Sequence, residues 1–73
     1  MLKDGTRVDC LTSTHAIEVD FANKWAESIG QSLFYAEMTG KKPGVYLIIE
    51  SDRDYRYLKR LKLVAKKYGI TIF

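Results

Sequence analysis

Along residues 15–21 apolar and polar side chains alternate. Ile17, Val19 and Phe21 fall on one side of an extended chain, and Ala16, Glu18 and Asp20 on the other, the period of two that a β-strand imposes. The pattern predicts an apolar side turned to the core and an acidic side turned outward. Residues 7–12 form a second β-type segment, joined to the first through Thr12-Ser13-Thr14, and the two predict a hairpin. Over residues 22–39 the period lengthens. Trp25, Ile29, Leu33 and Ala36 recur at helical spacing, and Gly40 is placed to end the helix. Lys41-Lys42-Pro43-Gly44 reads as a turn, and the apolar run Val45-Tyr46-Leu47-Ile48-Ile49 as a mid-sheet strand buried on both faces. Ser51 and Asp54 resemble a capping box, Leu58, Leu61, Ala65 and Tyr68 give the next helix its stripe, and Gly69 stops it. Ile70-Thr71-Ile72-Phe73 follows as a last strand. The order hairpin, helix, strand, helix, strand predicts an α/β chain of mixed α+β character, with parallel crossovers in a mixed sheet covered by helices.

Size and composition narrow this to one small domain over residues 1–73. Hydrophobic residues make up 47% of the chain and charged residues 29%, too apolar for a disordered tail. A domain of this length buries only about 60% of the surface its unfolded chain exposes, and its core seldom nets more than about 3–5 kcal/mol. Cys10 has no second cysteine to pair with, and His15 is the sole histidine, so neither an intrachain disulfide nor a structural zinc site supplies the difference. Self-association as a homodimer is the expected support. The five-residue apolar run is far short of the roughly 20 that a membrane span needs, and Met1-Leu2-Lys3-Asp4-Gly5 is no signal peptide, which sets the expectation of a cytoplasmic protein without a membrane partner. A net charge of +3 and a pI near 9.1 admit a polyanionic partner without requiring one.

The hairpin register brings the first candidate chemistry. A two-residue turn at Ser13-Thr14 and a four-residue loop from Thr12 to His15 both set Leu11 opposite Ala16, hence Asp9 opposite Glu18 and Arg7 opposite Asp20. Like charges with Cβ atoms roughly 5 Å apart are destabilising unless something positive lies between them, and paired carboxylates suit Mg²⁺ or Mn²⁺. The ordinary alternative is a solvated face on which the two acids tolerate each other. Lys24, Gln31 and Tyr35, at steps of seven and four, form one line down the first helix beside the Trp25/Ile29/Leu33 stripe. Because that helix follows the Glu18 strand directly, its first turn is expected near the acidic pair.

Asp9, then Glu18-Val19-Asp20, then Lys24 and Gln31-Ser32-Leu33-Phe34-Tyr35, taken in order and spacing, resemble the PD-(D/E)XK nuclease superfamily and, within it, the branch with a Q-x-x-x-Y helix motif. The stretch GTRVDCLTSTHAIEVDFANKWAESIGQSLFYA, with the closing helix and strand, is similar to small bacterial members of that superfamily. The resemblance implies a restriction-endonuclease-like mixed sheet and a metal-dependent DNA endonuclease, a hydrolase of phosphodiester bonds. It implies Mg²⁺ or Mn²⁺ held by Asp9, Glu18 and the Val19 carbonyl, with Gln31 and Tyr35 positioning the substrate. Asp20 stands where the E-x-K lysine is expected, so Lys24 becomes the migrated equivalent, while Asp20 is either a third ligand or a structural partner of Arg7. The implied fold begins with a helix and a strand, and Met1-Leu2-Lys3-Asp4-Gly5 is expected to correspond to the turn after that strand, with the first helix and strand absent. In similar proteins that upstream part often carries an export signal and a second cysteine, which leaves Cys10 as an orphaned disulfide partner or a free buried thiol. The alternative function is a catalytically inactive nuclease-like module for nucleic-acid binding or protein assembly.

Other features carry less. Arg56, Lys59, Arg60, Lys62, Lys66 and Lys67 make the outer face of the second helix basic, fit either to track phosphates or simply to be solvated. His15 falls on the Ile17/Val19 side, away from the acids. Trp25 and the three Phe read as core.

Overall fold

The computed structural model describes residues 9–73. Strand β1 spans Cys10–Leu11, β2 His15–Phe21, β3 Lys42–Ile48 and β4 Thr71–Ile72; helix α1 spans Trp25–Thr39 and α2 Tyr55–Tyr68. Short 3₁₀ turns, Ala22–Lys24 and Asp52–Asp54, lead into the helices. Among the described residues the strands form one mixed sheet in the order β1-β2-β3-β4, antiparallel between β1 and β2 and parallel thereafter. None of the helices described is long and apolar enough to cross a membrane.

The hairpin turn is the two-residue one. The Thr12 N–H donates to the His15 carbonyl at 2.9 Å, the Thr12 Oγ1 accepts from the Thr14 and His15 amides, and Leu11 pairs with Ala16. β1 is shorter than the sequence suggests: Asp9 and Thr12 lie outside it, and Arg7, with its expected pairing to Asp20, lies outside the described residues. Gly40 and Gly69 end the two helices at φ of 71° and 70°, the left-handed region that glycine enters without a Cβ penalty.

Strand β3 begins three residues early. Lys42 and Pro43 were expected in a turn, yet the Lys42 amide donates to the Thr14 carbonyl and Pro43 pairs with Ala16. Alternation then directs the Pro43 nitrogen toward β4, which starts only opposite Gly44, so no ladder bond is forfeited. The S-x-x-D motif also works differently from a capping box. Ser51 makes no side-chain cap, and the Asp54 Oδ2 accepts from the Glu50 amide at 2.8 Å instead.

Because β2, β3 and β4 follow one another without reversal, crossovers of one hand lay both helices on the same face, where α1 and α2 pack together. Ala22, Val45, Leu47, Leu61, Ala65 and Ile70 form the core there, with Trp25, Ile29, Leu33 and Leu58 packed against it. Full burial of a side chain such as Val45 or Leu61 stabilises by about 1.5–3 kcal/mol.

The one-sided cover corrects two expectations. The acidic side of β2 faces the helices, with Glu18 only 5% exposed, while Val19 and Phe21 on the apolar side are 37% and 47% exposed. β3 is central but not buried on both faces, since Tyr46 is 50% exposed. Phe21, Phe34 and Phe73 are accordingly exposed rather than core, and Cys10, opposite Ile17, is an exposed free thiol.

Candidate functional site

Continuing the β1–β2 register by one step sets Asp9 opposite Glu18 on the helix-covered face. The Asp9 Oδ2 accepts from the Val19 amide at 2.9 Å, which ties the carboxylate to the edge of β2 where β1 stops. In a strand the N–H and C=O of one residue point to the same edge, so the Val19 carbonyl faces the Asp9 side too.

α1 approaches this strand closely because its underside is small. Ser28 and Ser32 are fully buried, and each hydroxyl is satisfied by a carbonyl one turn back, Trp25 at 2.6 Å and Ile29 at 2.9 Å. Tyr35 is buried on the same side. The line of Lys24, Gln31 and Tyr35 is thus one flank of the sheet-facing surface. From that flank Gln31 reaches the acid: with its amide nitrogen toward the acceptors, Nε2 donates to Oε1 and Oε2 of Glu18 at 3.1 and 2.8 Å.

Burial pushes the Glu18 carboxyl from the ordinary 4.5 to about 8, and the side-chain hydrogen bond with Asp9 and the negative charges of Asp9 and Asp20 act in the same direction. At neutral pH the pair therefore holds a proton between its carboxyls. What burial and repulsion withhold from Glu18 is a second negative charge, which a cation could restore.

The remaining candidates are less convergent. Asp20 lies two residues along the same face, and its Oδ1 accepts from the Phe21 amide at 2.9 Å. Among the described residues no three His, Cys, Asp or Glu side chains come together as a metal-ligand set; the Asp20 charge nonetheless acts on Glu18. Lys24 ends the 3₁₀ turn with an exposed side chain that makes no hydrogen bond or ion pair with the acids. His15 is on the open face, as its alternation predicts; its Nε2 is 3.0 Å from the Thr71 Oγ1 and its ring meets Phe73 edge-on at 5.2 Å.

Sequence reasoning overlooked the serines. Ser28 and Ser32 fall between the Gln31/Tyr35 line and the Trp25 stripe, and small residues four apart there were the available sign that this flank, not only the Trp25 stripe, packs on the sheet. No family model, curated protein or solved structure matches this chain.

Proposed function

We propose that the chain is a restriction-endonuclease-like, divalent-metal-dependent phosphodiesterase acting on DNA, with Asp9 and Glu18 as the metal-holding pair. The observation that carries this reading is the buried Glu18 carboxyl facing Asp9 with only negative charges acting on it. The donor set fits a hard cation: two carboxylates and the Val19 carbonyl are oxygen ligands, and Mg²⁺ ordinarily takes one or two carboxylates and keeps several waters. Bound Mg²⁺ or Mn²⁺ would supply polarisation of a phosphoryl oxygen and acidification of coordinated water.

The chain's own residues divide the remaining work. Gln31 holds both Glu18 oxygens and fixes that carboxylate's orientation. Lys24, at the mouth of α1, compensates negative charge developing on the phosphoryl group, the kind of charge that a carboxylate such as Asp20 opposes. Tyr35 buttresses the α1 flank that carries Gln31. A second reading, an inactive nuclease-like binding module, is favoured by the two-carboxylate site and the exposed Lys24.

Calorimetric titration with Mn²⁺ tests the pair. Saturable binding is expected in the wild type and strongly weakened binding in both Asp9→Asn and Glu18→Gln, with circular dichroism showing the fold retained. Unchanged Mn²⁺ affinity in both variants would refute the site. Supercoiled-plasmid cleavage with and without Mg²⁺ separates the two readings, and in an enzyme Lys24→Ala should lower turnover by about 10²-fold.

A further inference from the structure

We infer that the outward face of α2 is a docking surface for the phosphodiester backbone of a nucleic acid. Of the chain's 12 Lys and Arg, six lie between Tyr55 and Tyr68, and none of its nine Asp and Glu do. The remaining six cations stand against all nine acids, so the net +3 divides into +6 on one helix and −3 elsewhere. All six are exposed. Lys66 and Lys67 occupy the last turn, where the helix dipole favours positive charge. The other four have no such explanation. Arg56 and Lys59, Lys59 and Lys62, Arg56 and Arg60, and Lys62 and Lys66 are neighbours at three or four residues, and like charges at that spacing destabilise a helix. A helix that accepts this repulsion on its solvent side is matched to a partner that removes it.

The arginines are also held ready. The Arg56 guanidinium lies 4.7 Å from the centroid of the Tyr57 ring and donates to its hydroxyl at 2.7 Å, and the Arg60 guanidinium lies 5.6 Å from the same centroid. Two guanidinium groups one turn apart, ordered on a single ring, lose less freedom on meeting two phosphates than free side chains would. At 1.5 Å per residue the helix is about 21 Å long, which matches about six base pairs of duplex rise and makes the partner an array of anions rather than one ion.

A basic amphipathic helix also suits an anionic membrane, but there it needs an apolar side to insert. That side of α2 is occupied: Leu61 and Ala65 are buried in the core and Tyr57 and Leu58 pack against it, while the exposed apolar side chains, Leu63 at 71% among the cations and Tyr55 and Tyr68 at the two ends, are spread along the helix and form no continuous apolar side. The surface shares its class of partner with the proposed activity but rests on α2 alone.

Fluorescence anisotropy of a labelled 20-base-pair DNA duplex with the full chain in EDTA tests this without metal. Micromolar to ~100 μM binding is expected, weakening as salt rises. Arg56→Gln/Arg60→Gln should bind about tenfold or more weaker, with a salt slope smaller by about two, whereas the charge-matched Lys41→Gln/Lys42→Gln should bind as the wild type does. Circular dichroism melting should show the arginine variant folded, since two repulsive pairs, Arg56 with Lys59 and Arg56 with Arg60, are relieved. Equal losses in the two double variants, no duplex binding at 50 mM salt, or tighter binding to phosphatidylserine/phosphatidylcholine vesicles than to the duplex would each overturn the inference. Binding in EDTA with no metal-dependent cleavage would count against the Asp9/Glu18 reading only.

Discussion

The two faces of the sheet bear opposite halves of the same alternation. Under the helices lie Ala16, Glu18, Val45 and Leu47, all buried; on the other side Val19, Phe21 and Tyr46 are exposed beside a sheltered Ile17. The face that carries a carboxyl is dry and the face that carries rings is wet, the reverse of what hydropathy alone assigns to β2. Burial here follows the helices, which cover only one side because both crossovers run the same way. The covered face accommodates Glu18 through the shared proton and the Gln31 amide. The open face has one local shelter, where Phe73 folds over Gly44 and meets the His15 ring, leaving Ile17 covered.

The contrast is most directly broken on the covered side. Leu61→Ala should cost about 2–5 kcal/mol in urea unfolding, the range for emptying a fully buried leucine. A loss below about 1 kcal/mol would mean that the helices do not seal that face. Next in size is Glu18. Its carboxyl titrates near 8 in the fold and near 4.5 when solvated, so between those values the native state keeps a proton that the unfolded chain gives up. The part of the stability that depends on Glu18 is therefore full below pH 4.5 and declines as pH rises toward 8, by at most about 1.4 kcal/mol per pH unit. Glu18→Gln should flatten that decline and be more stable than the wild type at pH 8, as urea titrations at a series of pH values will show. A wild-type stability rising across the window would place Glu18 in solvent.

Smaller effects sharpen the open side. An added Cβ at Gly44 would lie 2.6 Å from the Phe73 Cε2, so Gly44→Ala should cost about 1 kcal/mol, with the exposed ring swinging aside to absorb part of the clash. Phe73→Ala in the same chain should remove most of that cost, leaving the closer approach to the Ile17 Cγ1 at 3.2 Å, and a double-mutant cycle measures that coupling. Smallest of all is Phe21→Thr, expected to cost less than about 1 kcal/mol because the ring is half in water and threonine suits a strand. A loss as large as that of Leu61→Ala would show the open face to be covered in solution.

Local rules in the chain determined more of the site than of its setting. The hairpin register, and with it Asp9 opposite Glu18, followed from a short turn and a period of two, which leave little freedom. Gly40 and Gly69 marked the helix ends, and helical periodicity placed Gln31 on the flank that reaches Glu18. Only the tertiary structure decided which side of β2 is inside, because a period of two separates two faces without saying which one the helices will cover. The same reason governs Tyr46, which an apolar run could not tell from a buried neighbour, and Pro43, whose place in β3 depends on where β4 begins. Lys24 shows the limit most clearly. Its azimuth was legible, but whether an exposed turn carries its ammonium to the acids depends on the path of the chain between strand and helix, which no spacing encodes.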